Sequence, residues 1–538
     1  MRPAAPQPLP FVAALAAILA GAFALTLSFP ERGWWWAAPI GVALNLLAIR
    51  GQRPGIAAYL GFLGGLAFYL MHVAWTSLFL GAVPWTALSA LMALWWMLGS
   101  IGIAIAYRRL PTRPGRTRSL GALPVAVASL WTLRETLASN VPYGGFAWGR
   151  IAQSQSNSPL LELVSWVGFA GVAFLVVWFV AFTIEVVLHP RDAQVSPRPR
   201  AGFILRRAAQ FTGVAAAGAA LLVWPLWPTQ QGETVRILAV QGDTPGASYF
   251  IPSDPGEILE SHAQVTLDAL EKAGQVDLVL WPEGSVDVSP LLNSYSADLI
   301  SYVEQRAGAP VLMNTVTMTG DWDDPDTQYF NSQIVWHDGE AGEQYDKAHP
   351  IPFGEYVPDR EVFEALAPDL IGMIQREYTP GIRSNVLDID GTRYGVFICY
   401  DIVDDNLVRE AVAGDAGVLL APTNNADFGY SEESAQQLAT ARLRAVESGR
   451  PLVQASTVGW SAAFAADGTQ IAGLDWYEPG AFVAEVTTGV GETPATVFGD
   501  AIDLLAGGVG LAIVVAAPRP RAEGRGGLKK NPPPRPQG

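Results

Sequence analysis

An α/β outer domain inserted in an eight-helix transmembrane bundle is the fold this sequence predicts, and three observations carry it. Apolar residues concentrate in 10–228 and again in 498–517, whereas 234–495 has the mixed composition of a soluble domain. Within that middle stretch, short β-branched runs alternate with helical patterns, as in an α/β sandwich. Arg and Lys gather in alternate inter-helix loops, the bias that orients helices in a bilayer.

Eight apolar stretches approach the ~20 residues needed to cross a bilayer. They lie at 10–28, 34–49, 55–75, 85–107, 120–139, 160–188, 208–228 and 498–517. The second is short. The fifth contains Arg134 and Glu135, which must snorkel, pair or face a cavity. The first is read as a span and not as a cleaved signal peptide, because its basic lead is Arg2 alone and its apolar run is long.

The loops between these stretches give an independent check. Arg50 and Arg53 follow the second span, and Arg108, Arg109, Arg113, Arg116 and Arg118 the fourth. Arg191, Arg198, Arg200, Arg206 and Arg207 follow the sixth, and the C-terminal tail carries Arg519, Arg521, Arg525, Lys529, Lys530 and Arg535. The alternate loops hold only Arg32 and Arg150. Positive charge favours the cytoplasmic side, so both termini are expected in the cytoplasm and the middle domain outside. The expected organisation is helices 1–7 in 1–228, the extracytoplasmic domain in 229–495, helix 8 in 496–518 and a basic, Pro-rich cytoplasmic tail in 519–538. The last residues, NPPPRPQG, are expected to be disordered.

Charged residues are only 16% of the chain, against ~25% in a soluble domain. Eighteen Trp suit interface belts, where an amphipathic ring sits at headgroup level. The net charge of −16 argues against nucleic-acid binding, which needs basic surface to neutralise phosphates. No zinc, EF-hand, P-loop or dinucleotide motif is present, and no cofactor or metal is expected.

In the outer domain, 235–242, 277–284, 310–318, 332–339, 394–401 and 417–424 read as buried strands, being short, β-branched and bounded by turns. Residues 256–273, 297–307 and 433–448 read as helices. Leu259, Ala263, Val265, Leu267 and Leu270 give the first an imperfect apolar face. A site is expected at strand ends.

Three motifs sit at such ends: LVLWPEGS (278–285), YDKAHPIPFGEYVP (345–358) and YGVFICYD (394–401). Cys399 is the only cysteine in 538 residues, so it has no disulfide partner within the chain. A free thiol titrates near ~8.5 and attacks as the thiolate, so Cys399 needs a base or a nearby cation. Its place after a β-rich run lets the Tyr400 N–H point at a developing oxyanion. Taken alone, a lone cysteine is as consistent with a core residue. Glu283 follows three apolar residues and Trp-Pro, and a carboxylate beside apolar walls can shuttle a proton. Lys347 is one of two lysines in the outer domain, and its ammonium suits oxyanion stabilisation. Each of these two has an ordinary surface alternative, and their joint occurrence decides the reading.

Together the motifs resemble the nitrilase, or carbon–nitrogen hydrolase, superfamily, which uses a Glu-Lys-Cys triad in this chain order on an αββα sandwich. The similarity covers about 234–490. With its membrane helices the whole chain resembles the apolipoprotein N-acyltransferase branch. The segment 143–175 is similar to the membrane-domain signature of that branch, and 424–456 to its late catalytic stretch. The resemblance implies catalytic Glu283, Lys347 and Cys399, with Glu355, Asn331, Tyr400 and Asp401 in supporting or substrate-binding roles. Asp401 departs from the usual Glu by one methylene. The usual early-loop tryptophan is missing, with Tyr249 and Phe250 as the nearest substitutes.

The implied reaction is a two-step transfer. Cys399 takes an acyl chain from a membrane phospholipid as a thioester. The α-amine of a diacylglyceryl-cysteine lipoprotein then receives it. The expected partners are therefore the phospholipid donor, the lipoprotein acceptor and the bilayer of a bacterial cell membrane, with the enzyme acting as a monomer. Residues 353–380 and 245–256 are expected to form loops near the membrane, with FEALAPDLIGMI (363–374) either in the headgroup region or an ordinary buried helix. His349 is read as a loop contact, and His72 as a helix–helix hydrogen bonder. The competing functions are a membrane-tethered amidase or nitrilase and a transporter with a degenerate outer domain.

Overall fold

The structure is a computed structural model and describes residues 6–110, 118–188, 200–244, 254–321, 324, 326–374 and 377–517. The N-terminal part is helical: α1 (Phe11–Ser28), α2 (Ala37–Ile49), α3 (Pro54–His72), the short α4 (Thr76–Leu80), α5 (Ala82–Arg109), α6 (Arg118–Ala138), α7 (Val164–Leu188) and α8 (Arg200–Leu222). Each of the first seven apolar stretches thus contains a helix. Among the described residues five helices are long and apolar enough to cross a membrane: α1, α3, α5, α7 and the last helix, Gly499–Ala516. The 13 residues of α2 rise only roughly 20 Å.

Close packing in the bundle uses small residues. A side chain at Gly61 of α3 would fall 2.3 Å from Ser100 Oγ on α5, and one at Gly64 would fall 2.5 Å from Ile18 on α1. Without a hydrophobic drive between helices in lipid, such backbone approach supplies the packing. Arg134 and Glu135 pair at 3.3 Å. The Arg134 guanidinium also lies over Trp96 and Trp131, and the Trp131 indole donates to Glu135 at 2.7 Å. Pairing is therefore how this fifth stretch resolves its charges.

His72 corrects an expectation. Its ring nitrogens meet no hydrogen-bond partner among the described residues, because the ring packs against Phe29 and Phe68 in an apolar pocket.

The α/β part runs β1 (Gln230–Gln241), α9 (Glu257–Ala273), β2 (Leu278–Leu280), α10 (Ser294–Ala307), β3 (Val311–Thr319), β4 (Gln328–His337) and β5 (Glu340–Asp346). Two short helices, α11 (Arg360–Leu366) and α12 (Pro368–Ile371), precede β6 (Val386–Ile389), β7 (Thr392–Val396), α13 (Asp405–Ala413), β8 (Val418–Thr423) and α14 (Glu432–Ser448). The chain then forms β9 (Leu452–Ser456), β10 (Ser461–Phe464), β11 (Gln470–Leu474) and β12 (Gly480–Val490). It ends in α15 (Pro494–Val497) and α16 (Gly499–Ala516).

Two six-stranded sheets result, ordered β12-β1-β2-β3-β4-β5 and β11-β10-β9-β8-β7-β6. In each, three central strands are parallel and the outer ones antiparallel. Alternate residues explain the layers. Ile237 and Ala239 of β1 and Leu420 of β8 point into the core between the sheets, whereas Leu238 and Val240 meet the α9 and α10 layer. Leu419 and Ala421 face the other way, into a core that runs through α14 into the membrane helices. The second helix layer is thus shared between the sandwich and the bundle.

The strand expected over 394–401 ends at Val396, because the chain turns into a 3-10 segment at Cys399–Val403. Six strands (β5, β6 and β9–β12) were not anticipated. Several lack an apolar run: β5 reads EAGEQYD and is mostly exposed. Tyr249, Phe250, most of the 245–256 loop, the tail from 519 onward, and Arg113, Arg116, Arg191 and Arg198 lie outside the described residues.

Candidate active site

The site forms where the chain leaves β2, β5 and β7. After β2, Trp281 is anchored by its indole donating to Thr266 Oγ1 at 2.9 Å, and its carbonyl accepts from Gln333 at 3.1 Å. Pro282 ends the ladder. Gly284 then adopts φ +73°, in the left-handed region that favours glycine. Its N–H donates to Asn314 Oδ1 at 2.8 Å. This sharp exit turns Glu283 inward, leaving it 7% exposed.

Lys347 extends the β4–β5 pairing by one residue, its N–H donating to the Asn331 carbonyl at 2.8 Å. Its side chain is buried, at 1% exposure. The ammonium donates to Glu283 Oε1 at 2.9 Å and stands 3.0 and 2.9 Å from the two oxygens of Glu355. Asn331 Nδ2 donates to the same Glu283 oxygen at 2.7 Å and to Glu355 at 3.2 Å. Asn331 Oδ1 in turn accepts from Asn314 at 2.8 Å, which fixes the amide orientation. The Ile351 N–H completes the shell by donating to Glu355 at 2.7 Å.

Electrostatics follow from this crowding. Burial opposes the Lys347 charge, but Glu283 and Glu355 outweigh it and hold the ammonium well above the ordinary lysine range. Burial, with Glu283 repulsion added, raises the Glu355 carboxyl against the pull of Lys347. One ammonium between two carboxylates leaves a spare acceptor for a proton.

Cys399 sits just past β7 with φ +51°, an uncommon conformation for a residue with a Cβ. The thiol is buried, pointing at the Asn424 carbonyl 4.0 Å away and accepting from Gln437 Nε2 at 3.6 Å. Burial pushes it well above the usual thiol range. Glu283 adds to that shift and Lys347 opposes it. The resting sulfur is therefore protonated, and attack needs a base at the moment of reaction.

Asp401 is fully buried beneath the nucleophile turn. It accepts from Tyr345 Oη at 2.8 Å, the His349 N–H at 3.0 Å and the Ile398 N–H at 3.2 Å. It thus pins the Lys347 loop to the Cys399 turn, and burial raises its carboxyl to about 6. Tyr400 points the other way. Its ring stacks on Trp148 at 5.6 Å and its hydroxyl donates to the Gly145 carbonyl at 3.3 Å, which ties the turn to the bundle. A cavity of about 130 Å³ lies beside this contact, lined by Tyr143, Ala147, His349, Tyr356 and Tyr400 among others. His349 makes a loop contact, its ring 3.1 Å from Asp404.

The segment 363–374 is split: its first half, on α11, stays unburied, while Ile371 and Ile374 are buried against Val357. No residue of α11 is buried, and Val362 and Leu366 are exposed. It is held to the bundle by Tyr143, whose hydroxyl donates to Asp359 at 2.7 Å.

Sequence reasoning missed Gln437, Glu433, Asn425 and Trp148. The first two had a readable signal: they are four apart on the expected 433–448 helix, so they share one face.

Residues 21–182 match the family described as apolipoprotein N-acyltransferase N-terminal domain, and 236–495 match carbon-nitrogen hydrolase. A Mycolicibacterium smegmatis protein named apolipoprotein N-acyltransferase is 33% identical over 94% of this chain and 85% of its own. A Methylococcus capsulatus protein of the same name is 26% identical over 92% and 94%. Among solved structures, a mutant of the Nesterenkonia AN1 amidase from the nitrilase superfamily aligns with TM-score 0.35 at 21% identity, covering 48% of this chain and 93% of that one.

Proposed function

This chain belongs to the apolipoprotein N-acyltransferase family, and from that premise we propose how its own residues carry out the N-acylation of lipoproteins. The protein is a membrane acyltransferase. In the proposed first half-reaction, Glu283 takes the Cys399 proton as the sulfur attacks the acyl ester of a membrane phospholipid. Lys347 and the Tyr400 N–H hold the oxyanion. The proton returns to the departing lysophospholipid, leaving a Cys399 thioester. In the second, the α-amine of a diacylglyceryl-cysteine lipoprotein attacks the thioester, Glu283 accepts a proton from it, and the sulfur leaves as the thiol.

The observation that carries this reading is the buried Lys347 ammonium shared by Glu283 and Glu355. It supplies a base and an oxyanion donor in a water-poor pocket, where electrostatics are strongest. Asn331 orients Glu283, Asp401 fixes the turn, and Tyr400 couples it to the bundle. Water exclusion favours transfer over hydrolysis of the thioester.

We further propose that residues 1–228 and 496–518 form the membrane part, with both termini cytoplasmic, 519–538 a cytoplasmic tail, and 229–495 on the outer face of a bacterial cell membrane. The alternating loop charges support that orientation. Exposed Leu366 and Met373 support placing 363–374 in the headgroup region. We propose that the enzyme acts as a monomer.

The test supplies detergent-solubilised enzyme with mixed phospholipid micelles and a diacylglyceryl-cysteine peptide. The peptide should gain one acyl chain. Hydrolysis of water-soluble amides with no lipid requirement, and no peptide acylation, would favour the amidase reading instead.

A further inference from the structure

Gln437 donates to the Cys399 sulfur, and the mechanism above leaves it unused. It stands on α14 and is 1% exposed, with Nε2 lying 3.6 Å from Sγ.

A chain of partners decides which end of this amide meets the sulfur. The Gly459 N–H donates to Ser456 Oγ at 2.8 Å, and the serine hydroxyl gives its own proton to Asn425 Oδ1 at 2.7 Å. Asn425 therefore presents its nitrogen on the other side. That nitrogen donates to Gln437 Oε1 at 2.7 Å and to the Glu433 carboxyl at 2.7 Å. Thr423 Oγ1 donates to the same Gln437 oxygen at 3.0 Å. With its oxygen held by two donors, Gln437 turns its N–H toward the sulfur.

The sulfur gains negative charge twice in the transfer. It does so as it loses its proton to attack the donor ester, and again as the C–S bond of the thioester breaks. The charged groups acting on it are Glu283 after β2, Lys347 after β5 and Glu433 on α14. Burial and the two carboxyls disfavour a thiolate, and Lys347, which favours one, is already shared between Glu283 and Glu355.

We propose that Gln437 is a catalytic residue, whose amide N–H stabilises the developing sulfur charge in both half-reactions. This rests on the thioester reading above. Gln437 exchanges no proton and forms no covalent bond. Glu283 carries the Cys399 proton to the departing lysophospholipid, and later carries the amine's proton to the sulfur. A hydrogen bond to a charged acceptor is stronger than one to a neutral acceptor. The contact therefore strengthens as charge appears, which is the kind of interaction that raises a rate.

The experiment compares full-length Gln437→Met and Gln437→Glu with the parent in detergent. Methionine removes the donor without adding charge. Glutamate keeps the oxygen that Thr423 and Asn425 hold and, once ionised, offers the sulfur no proton. Iodoacetamide alkylation of Cys399, the only cysteine, is followed by intact mass from pH 7 to 9. Gln437→Met should react roughly threefold more slowly at each pH, because a tenfold loss of thiolate is partly offset by its greater nucleophilicity. Gln437→Glu should be at least as slow at pH 9. Single-turnover acylation by mixed phosphatidylethanolamine and phosphatidylglycerol micelles should fall about tenfold in both variants, and so should discharge to a diacylglyceryl-cysteine peptide. Parent-like alkylation in Gln437→Met, or a loss confined to one half-reaction, would overturn the proposal. So would a parent-like Gln437→Glu, which would reduce Gln437 to a scaffold for Thr423 and Asn425. If Gln437→Met does not fold, Gln437→Leu takes its place under the same requirements. A parent that is alkylated but forms no acyl-enzyme would instead overturn the thioester reading, so the two failures are distinguishable.

Discussion

Lys347 Nζ lies 2.9 Å from Glu283 Oε1, in a pocket where the lysine side chain is 1% exposed. A buried ion pair is weak support for stability, since desolvation offsets much of the attraction. Here the ammonium serves two carboxylates at once, so its value is electrostatic positioning, and that can be tested.

Glu355→Gln removes one carboxylate from Lys347 while keeping a carbonyl that can accept its proton. The ammonium is then less firmly held, and the amide can no longer accept the Ile351 N–H and the lysine with equal strength. We expect kcat to fall about 10²-fold, the scale of losing one preorganised contact, with a smaller change in KM. Steady-state peptide acylation measures both.

Asp401→Asn should show a pH-dependent stability difference. The folded carboxyl is raised to about 6 from an ordinary 3.8. The folded state therefore binds more protons between those values, and parent stability from this group falls as pH rises through the window. At pH 7 the parent carries the full cost of a buried charge, at most about 3 kcal/mol. At pH 4 it carries almost none. The asparagine variant carries none at either pH, so its deficit relative to the parent should grow as pH is lowered from 7 to 4. Paired thermal melts in detergent would read this, and a deficit that shrinks over that range would contradict it.

Arg444→Ala tests the junction of sandwich and bundle. Arg444 is fully buried, donates to Glu447 at 2.5 Å and Asp405 at 2.7 Å, and lies over the Phe169 ring of α7 at 4.1 Å. Its removal strands Glu447, while Asp405 keeps its pair with Arg150 at 2.9 Å. Destabilisation of about 3–5 kcal/mol is expected, visible as a lower Tm or loss of folded protein on purification.

Tyr400→Phe keeps the stack on Trp148 and loses only the 3.3 Å hydrogen bond to Gly145. It should stay within about tenfold of the parent, consistent with a neutral hydrogen bond worth ~0.5–1.5 kcal/mol. Tyr400→Ala loses the ring and should cost tenfold or more beyond that. Equal effects of the two would mean that the hydroxyl, not the stack, matters.

Much of this arrangement was legible in the sequence because apolar runs report burial directly. The parallel strands β2, β3 and β8 are largely buried and announce themselves as continuous apolar runs. The exposed β5 has no such signal, and its place depends on pairing with β4. The helix α14 was visible as a helix but not as a buried one. Its Gln436, Gln437, Arg444 and Glu447 look like a solvated face, and only the sheet on one side and α7 on the other explain them. The motif residues Glu283, Lys347, Glu355 and Asn331 stood out through strand-end placement and resemblance, and the structure brings them within hydrogen-bond reach. Asn425 did not stand out, since its hydrogen bonds to Glu433 and Gln437 are created by tertiary contacts alone.

The most direct test of the central claim is intact-protein mass spectrometry of the purified enzyme after incubation with phospholipid. A thioester at Cys399 predicts a mass increase of one acyl chain, removable by hydroxylamine, absent in Cys399→Ser, and discharged by a diacylglyceryl-cysteine peptide. An adduct that persists in Cys399→Ser, or none in folded parent enzyme that still acylates the peptide, would contradict it.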